Sequence, residues 1–184
     1  MIELRDLDSN ASEQLFLWRR QPDVDRWMCG RVAQTLDEHQ RWFDQFRDDP
    51  DARGWLIVHD GAPVGLLTLR GLAGCDRCGN WGWYIGEASA RGRGVGRAAQ
   101  ALGLDKAFAE LRLHKVVAEV LADNEAALKA QASAGFRREG YLRSHALKDG
   151  AFRDVVLLAI LDEEWAARRE AFLASLREGG FFAA

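Results

Sequence analysis

Between residues 90 and 100 the chain reads ARGRGVGRAAQ. Three glycines and three arginines fall in the seven residues from Arg91 to Arg97, and an alanine-rich, apolar-periodic stretch follows at once. Before them, residues 81–86 read WGWYIG, the composition of a strand. A strand, a glycine-rich turn and a helix start in direct succession build an anion site. The first backbone N–H groups of a helix have no intrahelical partner, and the helix dipole adds partial positive charge there. Glycine lets the main chain approach a phosphate closely and reach dihedrals closed to other residues. Arg91, Arg93 and Arg97 add full charges, so a diphosphate is the natural ligand. It is not held by a P-loop, because the Gly-Lys-Ser/Thr ending is absent. Nor does the dinucleotide pattern G-x-G-x-x-G fit, since counting from Gly92 and Gly94 it requires glycine where Arg97 stands.

The rest of the chain supplies hairpins and further helices around this unit. IELR is a first strand. Residues 9–21 form a helix ended by Pro22 and Asp23, and residues 35–49 form a second, with Thr35 and Glu38 at capping-box spacing. Strands 55–59 and 63–70 fold back on each other around Asp60-Gly61, and residues 136–161 make another hairpin around Asp149-Gly150. The helix opened by the glycine segment runs from about Gly94 to Leu111. HKVVAEVLA, residues 114–122, is a buried strand, and residues 124–135 are a short helix that Gly135 terminates. Residues 162–178 form an amphipathic final helix, and the tail GGFFAA is expected to be loose. Alternating hairpins and crossover helices imply a mixed sheet covered by helices.

The 184 residues suit one domain with an extra helix, and neither a repeat nor a dividing linker is present. The formal net charge of -3 argues against a general binder of nucleic acid or acidic membranes, so neither partner is expected. The opening MIELRDLDSN has no basic or apolar leader character, and no apolar run reaches the roughly 18–20 residues of a membrane span. With only three cysteines, a reducing, cytoplasmic location is expected. Cys75-x-x-Cys78 has no second pair to complete a zinc site, so no metal is expected.

The remaining loop pattern, Arg91-x-x-Gly94-x-Gly96, resembles the [Arg/Gln]-x-x-Gly-x-[Gly/Ala] signature of the GNAT N-acetyltransferase family. Asn124-Glu-Ala-Ala127 followed by Ala134-Gly135-Phe136 resembles that family's second motif, and the last hairpin is also similar. The resemblance covers nearly the whole chain. It implies an α/β (α+β) GNAT fold, with a mixed, mostly antiparallel sheet of about seven strands flanked by helices. Residues 1–161 would be the acetyltransferase domain and residues 162–184 an added C-terminal helix and tail. Acetyl-CoA is the implied co-substrate. Main-chain N–H groups of Gly94, Val95, Gly96 and Arg97 would hold its pyrophosphate, with Arg91, Gly92 and Arg93 in the same loop. Tyr84, Ile85 and Gly86 would meet the pantetheine arm, and Asn124, Ala127 and Lys129 would complete the cofactor side.

Acetyl transfer to an amine needs a base for the amine proton, a donor for the oxyanion and a stabiliser for the leaving thiolate. Glu119 is the base candidate, as the charge within an otherwise apolar strand. Burial there would favour its protonated form near neutral pH. Many relatives carry tyrosine where this chain has Gln131, which can donate a hydrogen bond to sulfur but cannot release a proton. Either Gln131 stabilises the sulfur without protonating it, or a water or another residue, with Tyr141 and His145 as candidates, supplies the proton.

The N-terminal part sets the acceptor. LWRRQPDVDRWMCG followed by EHQRWF resembles the acetyltransferases of pseudaminic acid biosynthesis, which act on a UDP-linked 4-amino-4,6-dideoxy sugar on the route to flagellin glycosylation. Arg19, Trp27, Met28 and His39 match that pattern, and Arg70 at a strand end is placed to meet the nucleotide. The expected partner is therefore a small-molecule amine, a nucleotide sugar, with a homodimer as the expected assembly. Similarity to ribosomal-protein N-terminal acetyltransferases offers the second acceptor, and an acetyl-CoA-binding sensor without turnover is the reading from another class.

Overall fold

Two aspartate–glycine pairs turn the chain back on itself. Asp60 and Gly61 have φ of 50° and 82°, and Asp149 and Gly150 have 50° and 77°. Positive φ at both central residues matches the twist of the flanking strands, so both sites make tight hairpins. The protein is described by a computed structural model over residues 1–182. In chain order the elements are β1 (Ile2–Asp6), α1 (Ala11–Arg19), α2 (Pro22–Asp25), α3 (Leu36–Asp48), β2 (Ala52–His59), β3 (Ala62–Arg70), β4 (Cys78–Ile85), α4 (Val95–Asp105), β5 (Lys115–Leu121), α5 (Glu125–Ala134), β6 (Arg137–Lys148), β7 (Ala151–Leu161) and α6 (Asp162–Glu178).

Local chemistry sets the helix ends. The Thr35 hydroxyl accepts from Glu38 N, and the Glu38 carboxylate accepts in turn from Gln34 N, so the capping pair closes one residue further out than its spacing suggests. Asn124 Oδ1 accepts from Ala127 N at the start of α5, and Gly135, with φ 108°, ends that helix. Pro22 ends α1 as expected but also opens α2, where its missing N–H costs nothing. The α4 ladder loosens into a π-turn over residues 106–110.

The seven strands lie in the order β1-β2-β3-β4-β5-β7-β6. All pairings are antiparallel except β4 with β5. Helices α1 to α3 cover one face around Leu15, Trp18, Phe43, Leu56 and Leu66. The other face packs against α4 and α6 through Leu67, Trp81, Ala98, Leu104 and Phe172, with α5 lying against α4. Lys148, buried at the tip of the last hairpin, sits 2.7 Å from Asp25 and ties that tip to α2. The tail expected to be loose is tied down at Phe181, whose carbonyl accepts from Ile2 N and whose ring packs on the core. Its last two residues, 183 and 184, lie outside the described ones.

Candidate active site

The one parallel pairing is short. Strands β4 and β5 are in register only from Cys78 with Lys115 to Trp81 with Ala118. Beyond that, β4 stays with β3 to Ile85 and β5 stays with β7 to Leu121, but the two no longer meet. A cleft of about 790 Å3 opens at this gap, walled by the two strand ends, the α2 region and α5. Gly86 N donates to Val64 O in β3. Since successive residues of a strand turn their polar groups to opposite sides, Trp83 and Ile85 turn theirs toward the gap. Ile85 O is taken by Arg91, which leaves Trp83 N–H and C=O and Ile85 N–H on the side of β4 without a strand partner; of the two residues, Trp83 lines the cleft. Of the three residues expected to meet a pantetheine arm, Gly86 is engaged elsewhere. Its N–H goes to Val64, its carbonyl to Arg91, and a Cβ there would lie 2.2 Å from the Trp18 ring.

The glycine–arginine loop keeps its helix start bare. Gly94 caps α4 with φ 85° and no side chain caps that end, so the N–H groups of Val95, Gly96 and Arg97 precede the first helical bond, from Ala98 N to Gly94 O. Its arginines are not equivalent. Arg91 donates Nε to Ile85 O at 2.9 Å and Nη2 to Gly86 O and Gln21 Oε1 at 2.8 and 2.7 Å, clamping the end of β4 to the α1–α2 turn. Arg97 donates to Ser175 Oγ at 2.9 Å and lies over the Phe172 ring, on α6. Only the exposed Arg93 has no side-chain partner among the described residues. Gly96 also serves packing, because a Cβ there would come within 2.7 Å of the Trp83 ring. Lys129 lies on the exposed side of α5 and pairs with Glu125.

Glu119 and Gln131 both line the cleft. Gln131 is 4% exposed and its Oε1 has no partner. Glu119 is exposed, so the burial expected of it is absent: β5 alternates, and Ala118 and Val120 turn into the core while Glu119 turns to the open wall. Tyr141 donates its hydroxyl to Asp154 on the outer hairpin, and neither it nor the exposed His145 lines the cleft. Their candidacy as proton donors ends there.

A second cavity of about 500 Å3 opens from the same wall, sharing Met28, Cys29, Thr68, Arg70, Gly82 and Tyr84 with the first. Arg19 and His39 line it, Trp27 lines the first cavity, and Met28 and Arg70 line both. The structure thus gathers all five residues that the acceptor pattern singled out. The His39 ring lies between Phe16 and Trp42. Burial, and then the nearby Arg19 guanidinium, hold His39 below its ordinary pKa. Tyr84, expected to offer main-chain groups to a pantetheine arm, turns its side chain toward α1 to α3; burial pushes its phenol well above the ordinary value. The alternation in WGWYIG carries that signal, since Trp81, Trp83 and Ile85 share one face and Gly82 and Tyr84 the other. Among the described residues, eight buried side-chain polar atoms lack a partner. Six belong to residues lining these cavities: Arg19, His39, Trp81, Trp83, Tyr84 and Gln131. Buried polar groups are ordinarily paired, so the unpaired ones are concentrated in the walls of the two cavities.

Cys75 lies exposed in the β3–β4 turn and Cys78 opens β4. Among the described residues, no three His, Cys, Asp or Glu side chains gather to hold a metal ion, and no helix is long and apolar enough to cross a membrane.

Residues 2–137 match the Acetyltransferase (GNAT) domain family. The probable N-acetyltransferase YjcK of Bacillus subtilis is 34% identical over 119 residues, 64% of this chain; the chain spans 65% of that protein's length. The acetyltransferase PseH of Campylobacter jejuni is 26% identical over 132 residues, covering 70% of this chain and 80% of that one. Among solved structures, the spermidine N-acetyltransferase from Vibrio cholerae, in complex with CoA and spermine, superposes with a TM-score of 0.84 at 21% identity, over 90% of this chain and 98% of that one.

Proposed function

We propose that this chain, which belongs to the GNAT acetyltransferase family and is an N-acetyltransferase, moves the acetyl group of acetyl-CoA to the 4-amino group of a UDP-linked 4-amino-4,6-dideoxy sugar. Acetyl-CoA supplies the acetyl group as a thioester. The chain's own groups fit it: the bare start of α4 for the pyrophosphate, Trp83 main-chain groups for the amides of the arm, and Asn124 and Ala127 along α5. In the transfer, a bond forms between the amine nitrogen and the acetyl carbon, and the carbon–sulfur bond breaks. Glu119, on the open wall, takes the amine proton directly or through water. A main-chain N–H of β4 steadies the carbonyl oxygen. The Gln131 amide donates to the leaving sulfur without giving up a proton, and solvent protonates the thiolate.

The charge of the acceptor cavity carries the choice of acceptor. Arg19 and Arg70 line it, and neither pairs with a carboxylate among the described residues. Its one carboxylate, Glu38, is engaged by Arg31 and Gln34 N. A polycation such as spermine would meet uncompensated like charge there, whereas a nucleotide diphosphate meets two guanidinium groups suited to phosphate. Trp27 and Met28 supply an apolar wall for the methyl of a 6-deoxy sugar.

CoA release, corrected for the protein's own thiols, tests this with three acceptors: the UDP-4-amino-4,6-dideoxy sugar, peptides with free N-termini, and spermidine. The expected result is turnover of the sugar with kcat/KM at least about 100-fold above spermidine, the worth of one charged hydrogen bond. Release with peptides alone moves the acceptor to protein N-termini. Release with spermidine alone overturns the anionic acceptor. Silence with all three, while acetyl-CoA still binds, removes the sugar as acceptor.

A further inference from the structure

The family match ends at residue 137, yet the last helix and tail reach back to the loop that opens α4. Three contacts make this join. Arg97 Nη2 donates to Ser175 Oγ at 2.9 Å. The Arg97 guanidinium lies 4.5 Å from the centre of the Phe172 ring. Finally, the Phe181 ring sits between two glycines: a Cβ on Gly94 would lie 2.5 Å from it, and one on Gly179 3.0 Å. Gly94 is the left-handed residue, φ 85°, that turns the chain into α4.

We infer that Phe181 is a positioning residue for coenzyme binding: seated on Gly94, it holds the first turn of α4 so that the N–H groups of Val95, Gly96 and Arg97 stay aimed at a diphosphate. This rests on the reading of that turn as the pyrophosphate site. On its other side the turn is held by the Trp83 ring against Gly96. It is therefore wedged between two aromatic rings, one from β4 and one from beyond the family match. A left-handed glycine has a wide choice of dihedrals, so without the ring the turn samples orientations in which its donors diverge. Anion binding then carries the cost of ordering them. The β1 edge does not depend on the ring, because Ile2 N is held by the Phe181 carbonyl.

The test compares acetyl-CoA with S-acetyl-pantetheine, which lacks the diphosphate, in the full-length protein and its Phe181→Ala and Phe181→Leu variants. Wild type should prefer acetyl-CoA strongly in kcat/KM. In Phe181→Ala the acetyl-CoA KM should rise about tenfold, as for one lost interaction of about 1.4 kcal/mol. Its kcat and its KM for S-acetyl-pantetheine should stay within twofold of wild type, and Phe181→Leu should recover most of the loss. If wild type itself shows no preference for acetyl-CoA, the pyrophosphate reading fails and the role of Phe181 fails with it. If wild type prefers acetyl-CoA and Phe181→Ala keeps that preference in full, the pyrophosphate reading stands and Phe181 does not position the loop. Equal losses with both thioesters, or a fall in kcat alone, also overturn the inference. Should Phe181→Ala not fold, Phe181→Leu alone decides, with a two- to fivefold rise in acetyl-CoA KM expected and none for S-acetyl-pantetheine.

Discussion

Replacing Arg91 by methionine separates two roles that sequence and structure give it. A phosphate contact would matter only when the coenzyme is bound. A clamp on Ile85 O, Gly86 O and Gln21 Oε1 matters in the free protein. Hydrogen bonds from a charged group are worth about 1.5–3 kcal/mol each at full strength. Arg91 is more than a quarter exposed, water can reach the carbonyls it leaves, and the three bonds share one side chain, so the sum is well below three full terms. Methionine keeps part of the apolar stem. The expected loss is about 2–4 kcal/mol, or roughly 4–16 °C in Tm for a chain of this size. The assay is a thermal melt of wild type and Arg91→Met without acetyl-CoA, followed by titration with it. Acetyl-CoA should also bind more weakly to the variant, because the end of β4 loosens. An unchanged melting point in the free protein, with acetyl-CoA affinity alone reduced, would refute the clamp and restore Arg91 to the phosphates.

Two further outcomes follow from the acceptor side. Glu119→Gln should lower kcat/KM near pH 7 by about 10²- to 10⁴-fold while acetyl-CoA affinity stays close to wild type; a pH–rate profile like that of wild type would remove Glu119 as the base. His39 is held below its ordinary value of 6.5, chiefly by burial, so it is neutral in the folded protein where the unfolded chain has begun to bind a proton. Stability is therefore complete above about pH 6.5 and is lost as pH falls from there through the folded value. Denaturant midpoints measured from pH 7.5 to 5 should fall more steeply in wild type than in His39→Gln, and equal slopes would mean that His39 carries no such penalty.

The order and type of the elements, apart from the four-residue α2, were legible because most boundaries are marked locally. Asp60-Gly61 and Asp149-Gly150 require left-handed dihedrals that favour hairpins, and Thr35, Asn124 and Gly135 act within four residues of themselves. The insertion of β7 between β5 and β6, and the parallel contact that stops at Trp81, were not. Strand pairing is decided by contacts between distant segments, which period and capping do not encode. The bare start of α4 was legible for the same local reason as the helices, since glycine beside a helix start acts through its own backbone. The directions of Arg91 and Arg97 were not. Arg91 finds Gln21, 70 residues away, and Arg97 finds Ser175, 78 residues away. A long side chain settles on whatever partner the tertiary fold brings nearest.

Side-chain parity along β4 divides the chemistry. Trp81 and Trp83 turn toward α4, the face that carries the bare helix start and Gln131 of α5. Tyr84 and Gly82 turn toward α1 to α3, where Arg19 and His39 line the second cavity. A continuous sheet would keep these faces apart. The loss of pairing beyond Trp81 and Ala118 joins them at the cleft, which Glu119 of β5 and Gln131 of α5 both line. In the proposed transfer, proton uptake by Glu119 and sulfur stabilisation by Gln131 would come from opposite faces, by groups that need not touch. On the proposed function, α1, α2 and the start of α3 would set acceptor preference, and it could change there without altering the α4 turn. For that reason Arg19 and Tyr84 are the positions at which substitutions should shift acceptor choice while leaving acetyl-CoA affinity in place.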